Sequence, residues 1–137
     1  MHPVKIHSKA VERLIARVRK LCLALPESSE RLSHGEPTWF VGAKAGKGGK
    51  VFTTFADDHH RDGIVGIWCP AAPGAQAMLI ESNPKIFFRP PYVGPSGWIG
   101  IRLDRPPVDW EEVADLILES WRLVAPKRAL AALKETS

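Results

Sequence analysis

Two segments of the chain carry apolar residues at helical spacing, one near each end. The first follows Ser8, a residue type favoured at helix N-caps, and runs until Pro26 breaks it. Its apolar positions recur at steps of three, four and seven: Val11, Leu14, Ile15, Val18, Leu21, Cys22 and Leu25. The second follows Asp109, also a suitable cap, and ends before Pro126. The pattern therefore predicts two long amphipathic helices, with a final short helix or a loosely docked tail over residues 127–134.

Between the two helices the alternation of apolar and polar residues comes close to a period of two. Such segments, separated by Gly, Asp and Pro, are typical of antiparallel strands. We predict strands over residues 31–34, 38–41, 51–56 and 63–69, a short helix over 74–81, and further strands over 86–88 and 98–103.

These elements predict an α+β protein with two layers, an antiparallel β-sheet with helices packed on it, in the order α-β-β-β-(β)-α-β-β-α. The 137 residues fit a single domain over 1–137, with its core at about 8–128 and a tail or helix over 129–137. No apolar run is long enough to cross a bilayer, and residues 1–8 hold no uninterrupted apolar stretch of the kind found in secretory signals. We therefore expect a cytoplasmic protein with no membrane association.

The two cysteines, Cys22 and Cys69, are too few for a disulfide framework and do not form a C-x-x-C pair. We interpret both as reduced structural thiols, because free cysteine is among the most buried residue types.

The net charge is +4, and its distribution indicates candidate contacts for an acidic partner. The predicted hairpin tip over residues 42–50 carries Lys44, Lys47 and Lys50 among glycines. It is not a Walker A loop, because Gly48 follows Lys47 where Ser or Thr is required, and strands flank it instead of a helix. Two readings stay open for it: a cationic wing that lies along a nucleic-acid backbone, or a tip kept polar for solubility.

A second basic set lies on one stripe of the first helix, opposite the apolar face: Lys9, Arg13, Arg17 and Lys20. It is either a phosphate-contacting surface or an ordinary solvated helix face.

The turn over residues 57–63 holds two aspartates and two histidines but lacks the ligand spacing of a helical zinc site. We interpret it as a polar turn, and His34 as a hydrogen-bonded structural histidine. An enzyme that uses His34, His59, His60 or Cys69 is not expected, because no nucleophile and base form a recognisable pair. We predict no catalytic residues, no metal site and no cofactor.

The stretch over residues 89–103 predicts a stiff loop that turns into a strand. Pro90 and Pro91 exclude a central strand position, and the glycines that follow allow a turn. Trp98 is expected to pack the loop against the sheet. Tyr92 either packs with it or, like Arg89, points outward.

Four pieces of the sequence together resemble the MmcQ/YjbR family. They are Leu25-Pro26 after the first helix, the segment from His34 to Val41, the segment from Tyr92 to Ile99, and the helix end from Glu119 to Ala125. The resemblance covers about residues 8–128. It implies a two-layer α+β fold similar to CyaY and the type III secretion chaperones, and a DNA-binding role through a paired-hairpin "double wing".

The basic side chains on hairpin and loop positions, together with what the resemblance implies, favour a non-enzymatic module that binds DNA. The candidate nucleic-acid contacts are Lys44, Lys47, Lys50, Arg61, Lys85, Arg89 and Arg102, with Trp39 and Tyr92 as stacking groups where the nucleic acid is single-stranded. The alternative is a protein-interaction module with a chaperone-like sheet and no nucleic-acid role. The partner is thus DNA or another protein, and the chain is expected to be a monomer or a weak dimer.

Overall fold

The computed structural model describes residues 5–136. Within that range the chain forms four α-helices and six β-strands. The helices are α1 (Lys9–Leu23), α2 (Ala75–Ser82), α3 (Trp110–Val124) and α4 (Lys127–Thr136). The strands are β1 (Ser28–Ser33), β2 (Glu36–Val41), β3 (Lys50–Asp57), β4 (Val65–Cys69), β5 (Phe87–Phe88) and β6 (Ile99–Arg102).

All six strands belong to one open antiparallel sheet with the order β1-β2-β3-β4-β6-β5. The first four strands form a meander, whereas β6 pairs with β4 and places β5 at the edge. This arrangement confirms the predicted α+β class, the two layers and the order of elements. The predicted place of Pro90 and Pro91 also fits, since they follow the short edge strand β5.

Helices α1 and α3 cover one face of the sheet because their apolar stripes face it. Both begin at the predicted caps: Ser8 Oγ accepts from the N–H of Val11 at 3.1 Å, and Asp109 Oδ1 accepts from the N–H of Glu112 at 3.1 Å. The buried positions of α1 are Ile15, Val18 and Cys22, and those of α3 are Val113, Ile117, Ser120 and Trp121. They pack on sheet residues that include Trp39, Phe55, Ile67, Cys69, Ile99 and Ile101.

The C-terminal end of α3 joins three distant parts of the chain. Trp121 Nε1 donates to the carbonyl of Pro26 at 3.2 Å, which ties α3 to the connection between α1 and β1. Ser120 Oγ lies 2.6 Å from the carbonyl of Pro70 just after β4, and 2.9 Å from that of Leu116 in its own helix. These contacts position both layers relative to each other.

The predicted bounds of the first strand were wrong. The first strand begins at Ser28 instead of residue 31, because Ser28 and Ser29 pair with Val41 and Phe40 although their sequence shows no alternation. It ends at Ser33, since His34 adopts a positive φ of 53° in the tight turn to β2. At the C-terminal end, where the sequence left a short helix or a loosely docked tail open, residues 127–136 form a helix with Ala129 fully buried. Within residues 5–136, no helix is both long and apolar enough to span a bilayer.

Candidate functional site

The sheet face turned away from α1 and α3 carries a continuous row of residues across all six strands. Successive Cα partners define this row: Arg31, Thr38, Thr54, Trp68, Gly100 and Phe88. Because neighbouring residues of a strand point to opposite faces, the row lies opposite Trp39, Thr53 and Ile67 of the core. We call the sheet face that carries this row the open face.

Two loops cover part of the open face and leave a pocket of about 550 Å³ between them. One is the turn after β3, where the ring of His59 meets Trp68 edge-on with centroids 5.6 Å apart. The other is the loop over residues 89–98, which the side chain of Gln76 holds by donating to the carbonyls of Gly94 and Trp98 at 2.9 and 2.6 Å. The pocket is lined by Ser33, His34, Glu36, Val51, Thr54, Phe55, His59, Trp68, Tyr92, Val93 and Trp98.

Glu36 is a charged residue that lines this pocket and is almost completely buried, with only 2% of its surface exposed. Its Oε2 accepts from the backbone N–H of Asp57 at 2.7 Å and from Lys5 Nζ at 3.4 Å, and His59 Nδ1 lies 3.7 Å away. Its Oε1 accepts no hydrogen bond from the described residues, the nearest basic atom being His7 Nε2 at 3.8 Å. The carboxylate is thus satisfied on one oxygen only.

Burial raises the pKa of Glu36 above its ordinary value. The hydrogen bond from Asp57 and the charges of Lys5 and His7 act in the opposite direction and are outweighed. An ion pair that only stabilises the fold lowers the pKa of its carboxyl group. A carboxyl group in a cleft whose pKa is raised instead is therefore a frequent mark of a functional site.

The predicted hairpin tip between β2 and β3 is a separate basic feature. Lys44 and Lys47 form an isolated antiparallel bridge around a two-residue turn whose central residues, Ala45 and Gly46, have φ of 52° and 74°. Positive φ at both positions defines a type I′ turn, the form that suits a two-residue hairpin. Arg31 supports the tip from the open face, with its guanidinium donating to the carbonyl of Gly48 at 2.9 Å and lying 3.6 Å over the ring of Phe40.

The structure divides the predicted basic contacts between different parts of the sheet. Lys44, Lys47 and Lys50 are exposed together at the β2–β3 tip. Arg61 follows the other end of β3, and Lys85 and Arg102 lie near the same end because Arg102 donates its backbone N–H to the carbonyl of Ile86. Arg89 follows the edge strand β5.

Arg102 is held by a two-point ion pair with Asp104, at 2.9 and 3.0 Å. Partial burial acts to raise the pKa of Asp104, but the hydrogen bonds from Arg102 and from the N–H of Val65 lower it by more. This pairing makes Arg102 a structural cation as well as a candidate contact.

Trp39 is not available for stacking on a ligand, which corrects its assignment from the sequence. The side chain is fully buried in the core, and its indole N–H donates to Glu30 Oε1 at 2.9 Å. Strand alternation places it on the helix-covered face, which the aromatic character of the segment alone did not reveal. Tyr92, in contrast, is 77% exposed and lines the pocket with a φ of 63°, a value uncommon for residues other than glycine.

The basic stripe of α1 is partly occupied by contacts within the protein. The Arg17 guanidinium lies 4.5 Å over the ring of Trp110, at the start of α3. Lys9, Arg13 and Lys20 are exposed.

The sequence did not reveal that Glu36 and His59 line the pocket on the open face. The turn over residues 57–63 is indeed polar: Asp58 and Asp62 accept from the N–H groups of Gly63 and Ile64. It also brings His59 against Trp68, however. Glu36 lies two residues before Thr38, so strand alternation alone would have placed both side chains on the same face of the sheet. The side chain of His60 lies outside the described residues, as do residues 1–4 and 137.

An open antiparallel sheet with helices on one face and a partly covered pocket on the other defines a small α+β domain. The family model described as YjbR matches residues 23–123, so the chain belongs to the YjbR family, as the sequence pattern indicated. Its fold is similar to the crystal structure of the Deinococcus radiodurans protein DR2400, a DUF419 domain, with a TM-score of 0.68 and 20% identity over 82% of this chain and 79% of that one. No curated protein matches the chain.

Proposed function

We propose that this protein is a non-enzymatic module that binds nucleic acid by its phosphate backbone, with the β2–β3 hairpin tip as the principal contact. The observation that carries the proposal is the exposed set Lys44, Lys47 and Lys50 on a protruding type I′ hairpin. Within residues 5–136, none of these lysines takes part in an ion pair, so their charges are not offset by a neighbouring carboxylate.

A protruding hairpin suits backbone contacts because lysine acts as a point charge and needs no fixed donor geometry. Arg31 adds a fourth cation beside the tip, although its guanidinium is engaged with tip carbonyls. Arg61 and Lys85 lie toward the other end of the sheet and contribute only if the nucleic acid extends along it. The proposal therefore rests on the tip.

Binding of a fluorescent DNA duplex, followed by anisotropy at several salt concentrations, tests the proposal. Each phosphate neutralised by the protein contributes about 0.9 to the slope of log K against log salt. Replacement of Lys44, Lys47 and Lys50 by Ala is expected to weaken binding and to lower this slope by about 2 to 3.

A matched control replaces three exposed basic residues outside both basic sets, Arg105, Lys127 and Lys134, by Ala and changes the net charge equally. If the control loses as much affinity as the tip variant, the attraction is a general charge effect and the tip is not the contact. Absence of binding at low salt would exclude the whole proposal.

A protein-interaction module is the second candidate, and an apolar groove of about 230 Å³ between α2 and α3 favours it. Met78 and Leu123 line this groove and are both exposed. A pull-down that recovers one specific protein and no nucleic acid would favour this function over the first.

A further inference from the structure

The pocket on the open face lies beside the cationic hairpin tip that carries the proposed function. We propose that this pocket receives an unpaired base of single-stranded nucleic acid, stacked against the aromatic side chains that line it. The inference rests on the proposed function and deepens it, since it names single strands as the ligand. Paired bases are stacked inside a duplex and cannot enter such a pocket unless they are extruded.

The hairpin tip and the loop over residues 89–98 leave the sheet at the same end. The tip comes directly before Lys50, the first residue of β3, and β3 runs antiparallel to β4. The start of β3 therefore lies toward the end of β4, where Cys69 pairs with Ile99, the residue that follows the loop. A nucleic-acid strand bound at the tip can thus continue directly to the loop and to the pocket that it partly covers.

Aromatic side chains form part of the pocket wall and suit a flat base. Trp68 contributes from β4, and Tyr92 and Trp98 contribute from the loop. Tyr92 is exposed in a constrained turn, since its φ is 63° and the N–H of Val93 donates to the carbonyl of Pro91 at 2.7 Å. A side chain on a constrained backbone loses less entropy when a base stacks on it. The volume of about 550 Å³ leaves room for a base.

Cations at the two margins of the pocket suit the phosphates on either side of a bound base. Arg31 lies on the open face two residues before Ser33, which lines the pocket, and also donates to the tip carbonyl of Gly48 at 2.9 Å. Near the opposite edge of the sheet, Arg89 is exposed, and its stem packs so closely on Gly94 that an added Cβ there would collide with it. Among the described residues, neither arginine forms an ion pair. Aromatic groups beside unpaired cations are typical of sites for single strands.

An oligothymidylate of about 12 nucleotides and an abasic strand of the same length form a probe pair that differs only in the bases. Both carry the same phosphates, so the tip lysines meet them equally. By fluorescence anisotropy at low salt, the oligothymidylate is expected to bind about tenfold more tightly, because each stacked base adds to the affinity. In the ¹⁵N-labelled protein it should shift the indole N–H signals of Trp68 and Trp98, and leave those of the core residues Trp39 and Trp121 in place.

Two substitutions at the exposed position of Tyr92 provide the second arm. Tyr92→Phe keeps an aromatic ring and is expected to keep the preference for the oligothymidylate, whereas Tyr92→Leu is expected to lower it severalfold. Affinity for the abasic strand should be the same in both variants, because the tip is unchanged.

Equal binding of the two probes would overturn the base pocket and leave the tip contact standing, provided that loss of the tip lysines still weakens both. Absence of binding to either probe would overturn the pocket and the proposed function together. The inference also fails if the Trp68 and Trp98 signals stay in place, or if Tyr92→Leu binds the oligothymidylate as tightly as Tyr92→Phe does.

Discussion

Lys44 and Lys47 face each other across the tip of the β2–β3 hairpin, and their backbones exchange hydrogen bonds of 2.9 and 3.0 Å. Directly opposed residues of an antiparallel pair project to the same side of the ribbon, so the hairpin presents two like charges side by side. Such a pair is unfavourable in the isolated protein. An anion bound between the two lysines would relieve the repulsion, which connects this local feature with the proposed backbone contact.

Lys44→Glu is therefore expected to have opposite effects on stability and on binding. It converts a like-charge pair into an opposite-charge pair, worth about 0.2–1 kcal/mol, so the free energy of unfolding should stay the same or rise slightly. Affinity for duplex DNA should fall, because one cation is lost and an anion is introduced. Urea unfolding and anisotropy measure the two quantities. A variant that loses stability and affinity together would point to a damaged hairpin.

Ser120→Ala is expected to destabilise the protein by about 1–3 kcal/mol, because the buried carbonyl of Pro70 loses its hydroxyl donor. The carbonyl of Leu116 lies within the α3 helix and is less affected. Urea denaturation gives the change, with Ser82→Ala on the exposed end of α2 as the control. An effect no larger than that of the control would show that the link between α3 and the end of β4 contributes little.

The sequence predicted the elements well where the pattern is local, and the site poorly where distant residues decide it. The apolar stripes of α1 and α3 could be predicted because the spacing of apolar residues and the N-cap are local to each helix. The burial of Glu36, in contrast, depends on Lys5, 31 residues before it, and on Asp57, 21 residues after it. Trp39 illustrates the same limit, since an aromatic residue in a strand is equally compatible with stacking on a ligand or packing in a core until its face is known.

Cys22 and Cys69 are expected to resist thiol reagents in the folded protein. Both are free and buried, and burial raises the pKa of Cys69 to about 11 and that of Cys22 further still. Since the thiolate is the reactive form, neither residue is nucleophilic near pH 7. Reaction with a coloured disulfide reagent should be slow in buffer and rapid for both thiols in guanidinium chloride. Fast reaction of either thiol in buffer would contradict the buried placement.

The titration of Glu36 should appear both in its own resonance and in the pH dependence of stability. Because burial raises its pKa in the folded state, the side-chain carboxyl signal in a ¹³C NMR titration should show a midpoint above 4.5. The folded protein then binds this proton more tightly than the unfolded chain does. Its contribution to stability is therefore greatest below pH 4.5 and declines as the pH rises through the raised pKa.

Comparison with Glu36→Gln isolates that contribution, because the variant cannot titrate at this position. The groups around the carboxylate, Lys5, His7, Asp57 and His59, remain in both proteins, so the difference between their stability curves reports mainly Glu36. The free energy of unfolding of the variant, relative to that of the unmodified protein, should therefore increase as the pH rises above about 4.5. For the control Glu81→Gln, at an exposed position of α2, the free energy of unfolding relative to the unmodified protein should not show this increase. A midpoint at or below 4.5 would mean that Lys5 and the Asp57 N–H outweigh the burial of the carboxylate, and the pocket would then hold an ordinary ion-paired glutamate.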